Sequence, residues 1–187
     1  ACAAQRTLSG KTINPGFDHI AGMWDAYPNV PKFSFMNVVA AHDYSAPWIK
    51  MIQDSESYDA QLVAFLMFMT SREDFSNTAI ILRADHGLQG GPATLDYSLQ
   101  VEHRDPWTQI IVPKNLHGVS LESLFANQNK LATGFDLYRT LRELMAFGKD
   151  ESSAKSSSEA AIPEWSFNLL KTVVPADRTC TDAKLPV

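Results

Sequence analysis

The sequence predicts an α/β protein, a three-layer α/β/α sandwich on a largely parallel sheet, and three stretches carry that prediction. Phe33 to Ala41 (FSFMNVVAA) is an apolar run of strand length in which Asn37 is the strongly polar exception. Ala79 to Leu82 is a second run, apolar without alternation and so suited to a strand buried on both faces. Between them, Tyr58 to Thr70 is long enough for a helix and apolar nearly all round. Leu62, Phe65, Leu66 and Met69 supply one side, and Val63, Ala64, Met67 and Phe68 the others. A helix of that kind belongs between layers. The order strand, helix, strand joins parallel strands through a right-handed crossover.

The remaining elements follow in chain order. The opening through Pro15-Gly16 is polar and turn-rich. Phe17, Ile20, Ala21, Trp24 and Tyr27 recur at helical spacing, so a short amphipathic helix precedes the first strand, ended by Pro28 and Pro31. Pro47 and the polar stretch Gln53 to Ser57 read as a loop. Gly87, Gly90, Gly91 and Pro92 punctuate a turning loop after the second apolar run. Glu102-His103-Arg104-Asp105-Pro106-Trp107 is then a dense polar cluster before a third strand, Thr108 to Val112. Leu121, Leu124 and Phe125 begin a short helix, and Leu137, Tyr138, Leu141, Leu144 and Met145 space as a clearly amphipathic one closing on Gly148. Residues 149–160 are Ser-rich and charged, the composition of a flexible loop. Residues 161–187 are punctuated by proline and read as an extended tail packing on the same domain.

Composition narrows the classes. A chain of 187 residues holds one domain with a real core. A formal net charge of -5 does not make the basic surface that nucleic acid requires, so no nucleic-acid partner is expected. Leu62 to Met69, the longest apolar run, is far too short for a transmembrane segment. No initiator methionine or signal-like segment stands at Ala1, which predicts a processed product or a fragment. Cys2 and Cys180 fit one disulfide in a secreted protein or two thiols in a cytosolic one, and their number does not choose between these. His19 and His117 stand outside any cluster and read as ordinary histidines.

Chemistry concentrates where the two central strands end. Asp85 and His86 follow the second run directly, and Gly87 lets the chain turn there. Ligands of open α/β sheets gather outside the carboxyl ends of the strands. A carboxylate and an imidazole suit a borderline divalent ion, zinc or manganese, with calcium a further candidate. For adjacent residues to reach one ion the chain must leave the pleat, because extended neighbours point oppositely. His42-Asp43 follows the first run. In a parallel arrangement, strands about 4.8 Å apart would bring His42 to the same rim as Asp85 and His86. The structural alternative is an aspartate capping a turn beside a surface histidine.

With these residues in view, the chain resembles the alkaline-phosphatase-like superfamily, which includes the sulfatases, and within it the eukaryotic DUF229 group of secreted or lumenal proteins. Ordered segments carry the resemblance. They are Lys32 to Asp43, the helix motif D-x-x-L-x-x-F-L at Asp59 to Leu66, and N-T-x-x-x-x-x-S-D-H-G at Asn77 to Gly87. E-x-R-x-P follows at Glu102 to Pro106, and R-x-C-x-D-A-x-[IL]-P at Arg178 to Pro186. Ala41 and Ala84 replace the usual serines, and His103 stands where the group often carries a charged residue. Cys2-Ala3-Ala4-Gln5-Arg6 also fits the loose C-x-A-x-R pattern that sulfatases modify, but the residues after it do not keep the sulfatase spacing, so it reads as coincidence.

The resemblance implies an alkaline-phosphatase-like sandwich, here incomplete, with residues 1–148 forming the C-terminal part of a catalytic domain. It implies a metal-dependent hydrolase or transferase acting on phosphate or sulfate esters. The nucleophile and the first metal-binding carboxylate of that superfamily come from an N-terminal half that precedes these motifs. Asp85 and His86 would hold the metal. His42 would be a further metal ligand or a catalytic group at the ester, and Arg104, with or without His103, would clamp the anionic substrate. A secreted or Golgi-lumen address follows from the same resemblance. Two rivals remain. An HD-type phosphohydrolase on His42-Asp43 would need that dyad on a helix of an all-α fold. A non-catalytic binding or structural domain would keep the scaffold alone.

Overall fold

The computed structural model describes residues 15–38, 48–87, 96–146 and 161–185. They belong to two compact units, which divide between Pro113 and Lys114. Both helices and strands are present, with a small two-stranded antiparallel sheet among the described residues.

In the first unit, helix α1 spans Pro15–Ala26. Pro15 opens it at the position where a missing N–H leaves no intrahelical bond unmade. Phe17 and Trp24, two turns apart, are its buried residues. Helix α2 spans Trp48–Thr70, longer than the sequence suggested, so the stretch Gln53 to Ser57 expected as a loop is helical. Gln53, Asp54, Ser55 and Glu56 are polar but none breaks a helix, and Pro47 lies just before the first turn rather than within it. The two helices meet through aromatic rings. Phe17 stacks on Phe65 at 4.6 Å between centroids and tilts against Tyr58 at 5.7 Å. Burial there pushes the Tyr58 hydroxyl pKa up. Beyond α2, Arg72 donates to Asp74 at 2.8 Å and to Asp25 at the end of α1, fastening one helix end to the other.

Strand β1 spans Ile80–Arg83, and after helix α3 (Tyr97–Arg104) strand β2 spans Thr108–Ile111. The two pair antiparallel in the register Ile80 to Ile111, Ile81 to Ile110, Leu82 to Gln109 and Arg83 to Thr108. Residues 33–38, the described part of the first expected strand, take no regular structure, with Phe33 60% and Phe35 82% exposed. Among the described residues β1 pairs with the strand after it, and residues 39–41 of the earlier run lie outside them. Apolar content commits a segment to a sheet but does not name its neighbour. Helix α3 was not expected. Its N-cap is Asp96, which accepts from the Ser98 N–H at 2.8 Å, and His103 and Arg104 fill its last turn, where cations suit the helix dipole.

In the second unit, α4 (Leu121–Ala126) is capped by Ser120, which accepts from the Ser123 N–H at 3.1 Å, and α5 spans Gly134–Ala146. The tail, residues 161–185, runs as successive turns and buries Leu169, Leu170, Val174 and Ala183 alongside Leu137 of α5. Polar side chains hold it. Asn127 donates to the carbonyls of Leu169 (3.0 Å) and Thr172 (2.9 Å) and accepts from the Val174 N–H (2.8 Å). Thr140 donates to the Asp136 carbonyl at 2.7 Å and accepts from the Leu169 N–H at 2.9 Å. At the centre, Arg178 pairs with Asp136 at 2.7 Å, their side chains 2% and 0% exposed.

Candidate functional site

The site is built where β1 runs out. The Ala84 N–H still donates to the Trp107 carbonyl at 2.9 Å, continuing the pairing one residue past the strand. The chain then bends at Asp85 and again at Gly87, and so leaves the pleat that would have set Asp85 and His86 on opposite faces. Asp85 Oδ1 accepts from the His86 N–H at 2.9 Å. Its Oδ2 lies 3.7 Å from His86 Nε2, with the two side chains 86% and 33% exposed.

A second imidazole arrives from α3. His86 Nδ1 lies 2.7 Å from the Gly87 carbonyl oxygen, and His103 Nδ1 lies 3.2 Å from the same atom. The rings stand edge to face with centroids 5.0 Å apart. The Gly87 N–H in turn donates to the His103 carbonyl at 3.4 Å. A carbonyl oxygen only accepts, so each Nδ1 reaches it as an N–H donor. Metal-binding histidines are commonly held by their other nitrogen on a backbone carbonyl in this way.

The separation of His86 Nε2 from Asp85 Oδ2 is too long for a hydrogen bond. It is close to the ~3.4 Å that two donors take about one tetrahedral ion with bonds of about 2.0–2.2 Å. The donor set fits a divalent metal by chemistry and by spacing. Among the described residues no group of three or more His, Cys, Asp and Glu side chains gathers for an ion.

The expected site residues divide into those the structure brings together and those it leaves apart. Asp85, His86 and His103 converge on one turn. Arg104 is exposed at the end of α3, and no ion pair joins it to Asp105. His42 and Asp43 lie outside the described residues, as do Cys2 and the side chain of Glu102. Cys180 is exposed. Sequence reasoning missed the Gly87 carbonyl on which the imidazoles meet, and it missed the helix that delivers His103, although Asp96 before Tyr97 and the basic last turn were there to read. It also passed over Asp136, the partner of Arg178. Among the described residues no helix is long and apolar enough to cross a membrane.

No curated protein and no solved structure matches the chain. The family model described as protein of unknown function DUF229 matches residues 7–187, nearly the whole sequence, and the chain belongs to that family.

Proposed function

We propose that this chain carries part of the active site of a metal-dependent hydrolase or transferase acting on phosphate or sulfate esters. The observation that supports this best is the pair of electron-pair donors at the end of β1. His86, its Nδ1 bonded to the Gly87 carbonyl at 2.7 Å, faces Asp85 Oδ2 through Nε2 at 3.7 Å. That spacing lets an imidazole nitrogen and a carboxylate oxygen reach one cation. Zinc or manganese suits one nitrogen and one carboxylate oxygen, and calcium would favour the carboxylate over the imidazole. When bound, such an ion neutralises the ester's anionic oxygens and activates a nucleophilic hydroxyl.

The chain's own residues then have distinct work. Asp85 and His86 hold the ion, and His42, by the resemblance to alkaline-phosphatase-like proteins, completes the ligand set or protonates the leaving group. Arg104, with its planar fork of donors on the last turn of α3 beside His103, binds the phosphate or sulfate oxygens. The same resemblance supports a larger parallel three-layer sandwich around β1 and β2, with residues 1–148 in one catalytic domain. It also supports a secreted or Golgi-lumen address.

The test is metal content and turnover in the full-length protein. Elemental analysis should find a divalent metal in the wild type and its loss in Asp85→Asn, with hydrolysis of an aryl phosphate or aryl sulfate lost in parallel. Unchanged metal content in the variant would remove Asp85 from the ligand set. A wild type that binds metal yet cleaves neither ester would favour a non-catalytic scaffold.

A further inference from the structure

Strand β1 has two edges, and β2 takes one of them. The Ala84 N–H donates to the Trp107 carbonyl, so in this register Ile80, Leu82 and Ala84 turn their backbone groups toward β2, and Ile81 and Arg83 turn theirs the other way. Among the described residues nothing bonds to the outward N–H and carbonyl of Ile81 or Arg83. Ile80, Ile81 and Leu82 are nevertheless half-buried, and unpaired backbone on an apolar strand is costly. A second set of unmet groups lies earlier in the same unit. From Phe33 to Val38 exposure alternates: Phe33, Phe35 and Asn37 are exposed, and Ser34, Met36 and Val38 are half-buried. Period two is the period of a strand. Among the described residues, however, no backbone group of this segment is hydrogen-bonded.

We infer that the outer edge of β1 is a strand-binding surface whose occupant is Phe33–Val38, the outward backbone groups of Ile81 and Arg83 pairing with it to make a sheet of three strands. Only another extended backbone offers donors and acceptors alternating at strand spacing, so the chemistry of the edge names the kind of partner. Phe33, Phe35 and Val38 are strand formers, and proline stops at Pro31, outside the segment. The segment is also tethered to β1 by its own chain. Helix α2 lies between them, a crossover long enough to join parallel neighbours, and a tether raises local concentration above that of a separate molecule. The inference rests on the continued sheet of the sandwich proposed above and uses none of its metal chemistry.

Amide hydrogen exchange of the full chain, read residue by residue by NMR, tests this. In the wild type Ile81 and Arg83 should exchange as slowly as Leu82, whose N–H faces β2, and every second amide from Phe33 to Val38 should be slow as well. Phe35→Pro and Met36→Pro each remove one N–H, and one of the two faces β1 whichever way the segment is turned. At least one variant should speed exchange at Ile81 and Arg83 by about tenfold or more while Leu82 stays slow. Fast exchange at Ile81 and Arg83 in the wild type would overturn the inference even if neither variant folds. Slow amides that neither proline disturbs would give the edge to a different strand and overturn it too. So would protection that rises with protein concentration as sedimentation detects dimers, since the occupant would then be a second copy. Hydrolysis is a separate readout: the expected exchange in a protein that cleaves neither aryl ester would uphold the strand pairing and remove the proposed activity.

Discussion

Replacing Arg178 by methionine should be among the most damaging single changes in the second unit. The guanidinium gives Asp136 two bonds, at 2.7 and 3.3 Å, and reaches the carbonyls of Leu131 at 2.9 Å and Trp165 at 3.1 Å. Its plane also lies over the Phe167 ring, 4.9 Å from the centroid. Without it, a wholly buried carboxylate keeps only neutral donors, the Thr133 N–H (2.7 Å), the Thr133 hydroxyl (2.8 Å) and the Phe167 N–H (2.8 Å). Removing one partner of a buried pair costs about 3–5 kcal/mol. The two stripped carbonyls each add a desolvation penalty of roughly 1 kcal/mol or more, which places the loss toward the upper end of that range. Against a net stability of about 5–15 kcal/mol, this leaves the unit marginal. Guanidinium denaturation of the full chain, followed by circular dichroism and tryptophan fluorescence, reads the loss as a fall in midpoint. Asp136→Asn combined with Arg178→Met removes the stranded charge and keeps an acceptor for the backbone donors, so the pair should recover at least about 1 kcal/mol over the single variant. An Arg178→Met protein within about 1 kcal/mol of wild type, or a double variant weaker than the single, would refute the assignment of this ion pair as the unit's centre.

The other predictions concern neighbouring devices. Asn127→Ala strips partners from Leu169, Thr172 and Val174 together and should lower stability by about 3 kcal/mol, at roughly 1 kcal/mol per orphaned group; a loss under 1 kcal/mol would mean water replaces the amide. Burial acts to raise the Glu143 carboxyl, but hydrogen bonds from Asn168, Arg139 and Lys171 outweigh it and hold the pKa below the ordinary 4.5. A depressed carboxylate contributes stability above its unfolded pKa and loses it as pH falls through the folded value. The stability gap between wild type and Glu143→Gln should therefore be constant above pH 4.5 and shrink in more acidic solution, and a gap that widens there would reverse the sign. Asp96→Ala should weaken α3 by about 1 kcal/mol and raise amide exchange at Ser98, whereas unaltered exchange would show that the cap is incidental.

How legible this fold was depends on which property each element needed. The run ending at Leu82 and the run starting at Thr108 announced strands by β-branched apolar content, and both formed within a residue of the expected bounds. Direction was a different matter. Parallel pairing was inferred from the order strand, helix, strand, which sets the 33–41 run beside β1. Residues 33–38 of that run are irregular and 39–41 lie outside the described residues, among which β1 pairs antiparallel with the strand reached through α3. The early end of α2 went unread because polar residues such as Gln53 and Glu56 look alike in a loop and on a helix. The pairing of Asp136 with Arg178 was invisible for a deeper reason. Charged side chains are almost always solvated, so sequence patterning assigns them outward, and only a partner distant in sequence reverses that.

For the site, the legible part was what residue letters encode, and the illegible part was backbone. Asp85 and His86 after an apolar run already implied a carboxylate and an imidazole at a strand end, and the bend at Asp85 supplies the departure from the pleat that their joint use demands. His103 stood out as part of a polar cluster, where it looked like a companion of Arg104. The structure pairs it instead with Gly87, seen in sequence only as a residue that lets the chain turn. A carbonyl oxygen belongs to every residue and so marks none, yet here one such atom is where two imidazoles from distant parts of the sequence meet.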